Sequence, residues 1–354
     1  MYKILSINPG STSTKFAVYE DEKLICLHTI RHTGEELKPY AKIFDQYEFR
    51  KKLILKQLEE DEIDLCDLSA IVGRGGMLRP IESGVYTVND NMISDIKNSV
   101  VGEHASNLGC IIAFEIASNI PGCKAFIADP VAVDEFSDVA RLSGLPGFPR
   151  RSLFHALNHK AIARKYAAAN GTTYEKLNLV VAHLGGGISV AAHRLGKVID
   201  VNQALDGYGP FSPERSGTLD AGMLVKMCFE GKFKQTEIRK MIVGEGGLMA
   251  HLGTNDVQEA VELAESGNKY AKLVLEAMAY TTAKEIGAML AVLRGDVDAI
   301  ILTGGIAYNQ FIVNYITRLV SHFAKVVVYP GEDEMGALAM AGLRVLRGEI
   351  PKEY

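Results

Sequence analysis

Residues 183–187 read His-Leu-Gly-Gly-Gly and stand between two short apolar runs, Leu177–Ala182 and Ile188–Ala192. Three consecutive glycines lose much conformational entropy when a loop becomes ordered, so such a loop needs a compensating reason. One glycine would serve a tight turn, whereas three indicate that a ligand approaches the backbone closely. The combination of a strand, a loop almost without side chains and a second strand is therefore a pattern that can indicate a ligand site elsewhere in the chain.

A loop of related design stands near the beginning of the sequence. Asn8–Lys15 (NPGSTSTK) follows the apolar run Lys3–Ile7 and precedes Phe16–Tyr19. It is not a Walker A loop, because it does not end in the GKS/T sequence that opens a helix. Its glycine, hydroxyl and backbone N–H groups can surround anionic oxygens, but a plain hairpin turn has a similar composition. Taken alone, this loop leaves phosphate binding and a simple turn as alternatives.

A third loop, Leu302–Ile306 (LTGGI), ends another apolar strand and leads into a helix. The N-terminus of a helix favours an anion through its dipole and its free N–H groups. The order of strand, small-residue loop and hairpin occurs twice, starting at Lys3 and at Leu177, which predicts a duplicated unit. Strands that alternate with helices predict an α/β protein with mixed sheets. Together the three loops predict a nucleotide held between two similar domains.

The composition excludes several classes of protein. The 354 residues are 47% hydrophobic and 23% charged, with a net charge of -5. The sequence contains no basic stripe of the kind that would indicate nucleic-acid binding. The five cysteines show no CxxC spacing, which favours reduced thiols. The most apolar long stretch, Leu273–Leu293, contains Glu276, Lys284 and Glu285 and predicts a core helix rather than a membrane span. With no signal-peptide pattern at Met1, we expect a cytoplasmic protein.

The chain resembles the acetate and butyrate kinase family, which shares a superfamily with actin, the sugar kinases and the Hsp70 ATPase domain. The three loops are similar to the two phosphate loops and the adenosine loop of that family, and Glu334–Ala339 is similar to the start of its closing helix. Four further segments resemble pieces that other members of the superfamily lack: Gly73–Gly76, His104–Leu108, Arg150–His155 and Glu214–Gly217.

The resemblance implies two duplicated actin-like (ribonuclease H-like) domains with mixed sheets that face a central nucleotide cleft. The expected domains are residues 1–150, completed by the C-terminal helix 337–354, and residues 151–336. The resemblance also implies a homodimer or a larger homo-oligomer that binds a small carboxylate and a nucleotide.

The implied activity is the Mg²⁺-dependent phosphorylation of a short-chain carboxylate by ATP, giving an acyl phosphate and ADP, and the reverse reaction. A carboxylate with a pKa of about 4.3 is already ionised at neutral pH, so the reaction needs positive charge rather than a general base. Gly75 and Gly76 follow Arg74 at once, and the His104 segment is one residue shorter than in acetate kinases. These departures favour butyrate or a branched-chain analogue. The alternatives are an acetate or propionate kinase and, more remotely, a non-kinase ATPase of the actin fold.

The resemblance also assigns site residues. Arg74 would hold the carboxylate, Arg215 and His155 would stabilise the transferring phosphoryl group, and Asp129 and Glu334 would bind Mg²⁺ partly through water. The residues assigned to the nucleotide are Asn8, Ser11, Ser13, Lys15, His183, Gly185, Gly186, Gly187, Asp256, Gly304, Gly305 and Ile306.

Ordinary structural roles stand beside these assignments. Arg74 and Arg215 are alternatively surface ion pairs, His155 a helix cap and Asp129 a turn residue after its strand. Glu332 and Asp333 compete with Glu334 for the metal, because acids are common at any helix start. His104, His159 and His193 are expected to be structural, with a place in the substrate site left open for His104.

Overall fold

The computed structural model of the protein describes residues 1–354 and contains two compact units. The first unit comprises Met1–Asp134, Ala156–Asn158 and Asp333–Tyr354, and the second comprises Glu135–His155 and His159–Glu332. None of the helices combines the length and the apolar composition needed to cross a membrane. The domain boundaries expected from the sequence, at residues 150 and 336, stay a prediction.

The first unit is built on a six-stranded mixed sheet with the strand order β3-β2-β1-β4-β6-β5. Its strands are β1 (Lys3–Pro9), β2 (Ser13–Glu20), β3 (Lys23–Arg31), β4 (Leu68–Arg74), β5 (Val85–Thr87) and β6 (Lys124–Ala128). The first three form an antiparallel meander, whereas β1, β4 and β6 are parallel. Because the carboxyl ends of parallel strands meet at one edge, Asn8, Arg74 and Asp129 are brought to the same edge of this sheet.

Helices cover both faces of this sheet. They are α1 (Gly34–Leu37), α2 (Tyr47–Glu60), α3 (Asp90–Lys97), α4 (Leu108–Ala117) and α13 (Glu334–Leu346). Successive side chains of a strand point to opposite faces, so Leu5 belongs to the core formed with α2 and α4, while Ile4 belongs to the core formed with α13. The last helix of the chain therefore completes the packing of its first strand.

The second unit repeats the plan with a five-stranded mixed sheet in the order β11-β10-β7-β8-β9. Its strands are β7 (Asn178–Leu184), β8 (Ile188–Arg194), β9 (Lys197–Val201), β10 (Ala299–Gly304) and β11 (Val326–Pro330). Again the first three form an antiparallel meander, and β7, β10 and β11 are parallel. Both the α/β class and the duplication predicted from the repeated strand, loop and hairpin are confirmed.

The helices from the middle of the chain are α5 (Asp138–Arg141), α6 (Ala156–Ala169), α7 (Ala221–Phe229), α8 (Gln235–Ile242), α9 (Leu248–Leu252), α10 (Val257–Glu265), α11 (Lys269–Val292) and α12 (Gln310–Val320). Helix α11 buries Leu275, Met278 and Ile286 in the core that contains Val180 and Ile300 of the sheet. The most apolar long stretch, Leu273–Leu293, is thus a packed core helix, as its charged residues predicted.

Sequence periodicity located most long elements but not their ends. The apolar run Phe16–Tyr19 belongs to a longer strand, which extends over Ser13–Glu20. Helix α2 was not predicted, because Arg50 stands on the same face as Ile54 and Leu58 and interrupts its apolar stripe.

Two glycines let α4 approach the end of β4 very closely. A methyl group on Gly109 would lie 2.6 Å from the carbonyl oxygen of Arg74, and one on Gly73 would lie 2.0 Å from the carbonyl oxygen of Gly109. Both obstacles are backbone atoms, which cannot move aside as a flexible side chain can. The backbone contact between Gly73 and Gly109 therefore fixes the position from which Arg74 leaves the sheet.

We expect Gly109→Ala to lower the free energy of unfolding by about 1–3 kcal/mol, because the added methyl group forces α4 away from β4. Chemical denaturation measures this loss. Gly287→Ala is the matched control: it lies inside α11 with open space around it, so a gain of up to about 1 kcal/mol is expected from helix propensity. A Gly109→Ala protein as stable as the parent would contradict the close approach.

Candidate active site

Three predicted site residues of the first unit are in direct contact. Arg74 Nη1 lies 2.9 Å from Glu334 Oε1, and it donates hydrogen bonds to Glu334 Oε2 at 3.1 Å and Asn8 Oδ1 at 3.3 Å. Asn8 Nδ2 donates to Glu334 Oε2 at 2.5 Å. The three side chains come from the ends of β1 and β4 and the first turn of α13. Arg74 is therefore not an exposed surface pair; its partner is a residue that was itself predicted to serve the site.

The acids around the start of α13 have different environments. The carboxylate of Asp333 accepts a hydrogen bond from the N–H of Gly336 at 2.8 Å and caps the helix. Glu332 Oε2 lies 3.4 Å from His183 Nε2. Glu334 is the acid paired with Arg74, so each of the three competing carboxylates has a distinct role in the structure.

Asp129 follows β6 directly and is buried, with only 2% of its surface exposed. Its carboxylate accepts hydrogen bonds from Ser83 Oγ at 2.5 Å and from the N–H of Gly84 at 2.9 Å. Its φ of +39° is rare for a residue with a side chain, and such strain is concentrated at functional sites. Asp129 ties the loop before β5 to the sheet, whatever else it binds.

The Asn8–Lys15 loop is supported by Arg50, a residue that was not predicted from the sequence. Arg50 of α2 is fully buried and donates hydrogen bonds to the carbonyl oxygens of Gly10 at 2.7 Å, Ser13 at 2.9 Å and Ser11 at 3.1 Å. Burial lowers the pKa of Arg50 to about 10, so it remains cationic at neutral pH. The predicted Ser11 and Lys15 are exposed, and Ser13 is half-buried. An arginine in line with the buried Ile54 and Leu58 was the signal in the sequence.

The segments around Arg74 and His104 meet in the structure. Asn107 Oδ1 accepts a hydrogen bond from the N–H of Met77 at 2.7 Å, and a methyl group on Gly76 would collide with Asn107. Burial, and secondarily the positive charge of Arg74, lowers the pKa of His104. His104 thus lies within the electrostatic reach of Arg74, which favours a place beside the substrate site.

A pocket of about 510 Å³ in the second unit brings together residues predicted from two separate loops. Its lining contains Gly185 and Gly186 of the second phosphate loop together with Asp256, Gly305 and Ile306 of the expected adenosine site. Sequence reasoning missed the remaining lining residues, which are Pro213, Glu214, Asn255, Val257, Gln258, Tyr308 and Asn309. The volume suits a small-molecule ligand.

Two glycines shape the backbone around this pocket. Gly304 has a φ of +89°, and a methyl group there would lie 2.4 Å from the carbonyl oxygen of Leu184. A methyl group on Gly187 would collide with the guanidinium of Arg215, which hydrogen-bonds the carbonyl oxygen of Ala204. The bare loop therefore allows Arg215 to lie directly against the predicted phosphate-binding backbone.

Two predicted histidines stack beside this loop. The rings of His155 and His183 have centroids 4.2 Å apart and planes inclined by 27°. His155 Nδ1 lies 2.8 Å from Ser189 Oγ. His155 occupies the N-cap position of α6, but its side chain makes no capping bond to the helix. Its hydrogen bond to Ser189 and its stacking on His183 favour a role other than capping.

Cys26, His28 and Asp61 form a separate cluster whose potential ligand atoms all lie within 4.8 Å of one another. His28 Nε2 and Asp61 Oδ2 are 2.6 Å apart, a hydrogen-bonding distance. Two such ligands of one tetrahedral zinc ion would be separated by about 3.3 Å. Burial, above all, raises the pKa of Cys26 and disfavours a thiolate ligand. Hydrogen bonding accounts for this cluster without a metal.

Comparisons with known proteins agree with this architecture. Among solved structures, the chain is similar to an acetate kinase from Porphyromonas gingivalis, with 20% identity, a TM-score of 0.81 and coverage of 98% of this chain and 100% of that one. It is similar to a propionate kinase from Francisella tularensis, with 20% identity, a TM-score of 0.74 and coverage of 96% and 99%. A ROK hexokinase from Thermus thermophilus matches at 13% identity, a TM-score of 0.50 and coverage of 98% and 100%.

At these identities the solved structures establish the fold alone. The family assignment comes from the sequence itself: the model of the acetokinase family matches residues 148–330, which is more than half of the chain. The matched range includes the Gly185–Gly187 loop, Arg215 and the pocket of the second unit. The chain therefore belongs to the acetokinase family.

Proposed function

We propose that this protein transfers the γ-phosphoryl group of ATP to a short-chain carboxylate, forming an acyl phosphate and ADP, and catalyses the reverse reaction. The observation that carries the proposal is the 510 Å³ pocket, in which the bare Gly185–Gly186 backbone and the Asp256 and Gly305 segments line one cavity beside Arg215. Membership of the acetokinase family supports the same chemistry.

In this mechanism the nucleotide occupies that pocket, with its phosphates against the backbone of the glycine loop. Arg215 and His155 donate hydrogen bonds to the phosphoryl group during transfer, when its charge is redistributed. Arg74 binds the carboxylate of the acceptor. Since the acceptor is already ionised, none of these residues has to remove a proton, and the main task is to offset repulsion between two anions.

Mg²⁺ fits the oxygen ligands that the first unit offers. Asp129 and Glu334 supply carboxylates, and Mg²⁺ prefers such hard ligands while it retains several waters. Because both oxygens of Glu334 already interact with Arg74 or Asn8, contact through water is expected there. The bound ion would neutralise phosphate charge.

Two observations differ on the size of the acid. An acetate kinase and a propionate kinase are among the similar structures, which favours acetate or propionate as the first candidate over the butyrate expected from the sequence. Butyrate is the second candidate. The segments after Arg74 and His104 meet through Asn107; if both are shorter than in acetate kinases, as the resemblance implies, they leave room for a longer acyl chain. Both candidates share the proposed chemistry.

Hydroxylamine trapping of acyl phosphates tests the activity and the acid together. With ATP and Mg²⁺, acetate or propionate should give the highest kcat/KM among acetate, propionate, butyrate and isobutyrate. Each methylene bound in an apolar pocket is worth about 10–200-fold, so a butyrate kinase would show the opposite order clearly. Trapped product from none of the four acids would refute the proposed reaction.

Substitution of the two arginines should separate their roles. Arg215→Ala should lower kcat by about 10³-fold or more with little change in the KM for ATP, because its charge acts mainly in the transition state. Arg74→Ala should lower kcat and, in addition, raise the KM for the carboxylate. Arg79→Ala is the control, since Arg79 forms an exposed pair with Asp95 and should leave both constants unchanged. Equal effects of Arg215→Ala and Arg79→Ala would rule out the assigned role.

Arg50 provides a test of the first phosphate loop. Arg50→Lys retains a charge but cannot reach three carbonyl oxygens at once, so the Asn8–Lys15 loop should loosen. We expect the KM for ATP to rise about tenfold, measured by steady-state kinetics at saturating carboxylate. Lys56→Ala, at an exposed position of the same helix, should have no effect. An unchanged KM in Arg50→Lys would contradict the role of Arg50 in holding a nucleotide-binding loop.

A further inference from the structure

A continuous row of polar side chains leads from His155 into the interior of the second unit. His155 Nδ1 lies 2.8 Å from Ser189 Oγ, which lies 2.8 Å from His159 Nε2. His159 Nδ1 is 3.2 Å from His193 Nε2, and His193 Nδ1 is 2.6 Å from the hydroxyl of Tyr174. Ser189, His159 and His193 are fully buried, and Tyr174 is 2% exposed. We call these five residues the histidine row.

The interior histidines of the row are neutral. Burial lowers the pKa of His159 and of His193 well below the usual value, and the nearby positive charge of Lys160 acts in the same direction. A neutral imidazole donates a hydrogen bond from one nitrogen and accepts one at the other. The hydrogen bonds through His193 and His159 must therefore have the same direction, either from Tyr174 towards Ser189 or the reverse. When His159 donates to Ser189, the serine has its own hydrogen left to donate to Nδ1 of His155.

The surroundings of Tyr174 select one of these directions. Lys160 Nζ lies 5.3 Å from the centroid of its ring, and Arg164 Cζ lies 5.8 Å from it. Adjacent positive charge makes a phenol a stronger proton donor and opposes an additional proton on His193. Lys160 is fixed there by an ion pair with Glu135 at 2.6 Å. Donation from Tyr174 to His193 is thus the favoured direction.

We propose that the histidine row is a positioning device that fixes His155 as the tautomer protonated on Nε2. Ser189 then donates to Nδ1 of His155, so that His155 carries its own hydrogen on Nε2, a donor nitrogen. This inference rests on the proposed function for its purpose, since that donor would serve the transferring phosphoryl group.

The tautomers can be observed directly. Long-range ¹H–¹⁵N NMR spectra of the full-length protein, labelled with ¹⁵N-histidine and assigned by single histidine substitutions, distinguish protonation on Nδ1 from protonation on Nε2. We expect His155, His159 and His193 all to carry hydrogen on Nε2 and none on Nδ1. A proton on Nδ1 of any of the three at neutral pH would overturn the proposal.

A pair of tyrosine variants tests the origin of the direction. Tyr174→Phe removes the donor at the inner end of the row, so His155 should become a mixture of tautomers. We expect kcat to fall about tenfold, less than the roughly 10²–10³-fold that complete removal of a charge-stabilising donor costs, with the KM values unchanged. Tyr166→Phe is the control, because Tyr166 is buried in the same apolar cluster but is not part of the row.

Ser189→Ala cuts the row beside His155 instead. His159 and His193 should keep their tautomers, while His155 loses its preference and kcat falls as in Tyr174→Phe. If His155 remains protonated on Nε2 alone in both variants, the row does not position it. The spectra require no substrate, so the two proposals can fail separately. The expected Nε2 tautomers in a protein that gives no trapped acyl phosphate would refute only the proposed function. Other tautomers in an active enzyme would refute only the role of the histidine row.

Discussion

The ion pair between Arg74 and Glu334 joins residues that lie 260 positions apart in the chain. Arg74 ends the central strand β4, and Glu334 begins the helix whose apolar face completes the core against β1. Because Asn8 also bonds Glu334, the ends of two strands and one helix are held at one point. The glycine contact between α4 and β4 sets the position of the backbone, and this polar contact then sets the position of the charge.

The predicted phosphate loops of the two units are supported in different ways. The first supports its loop with a buried cation, Arg50, that bonds only neutral oxygens. The second uses glycines without side chains, so that Arg215 and the stacked histidines can lie against the loop itself. A shared meander of three strands therefore carries two distinct local chemistries, which is consistent with duplication followed by divergence of the loops.

Sequence patterns predicted the parts of this protein that depend on local periodicity. The duplicated strand and hairpin units and α11 are visible along the chain, because burial repeats every two or about 3.6 residues. The glycine loops are visible from their composition. The roles of Asn107, Glu214 and Arg50 were missed, since they depend on contacts between distant segments. The pairing of Arg74 with Glu334 was likewise beyond prediction: both residues were assigned to the site, but nothing in the sequence indicates that they bind each other.

The depth at which charge is placed beneath the Asn8–Lys15 loop has a further consequence. Dissolved ions screen exposed charges within about 8–10 Å at ordinary ionic strength, but they screen a buried charge much less. Lys15 is exposed on the loop, whereas Arg50 is fully buried against it. For any anion bound at this loop, the attraction of Lys15 fades as salt rises, while that of Arg50 persists. The loop thus retains its electrostatic character across a wide range of ionic conditions.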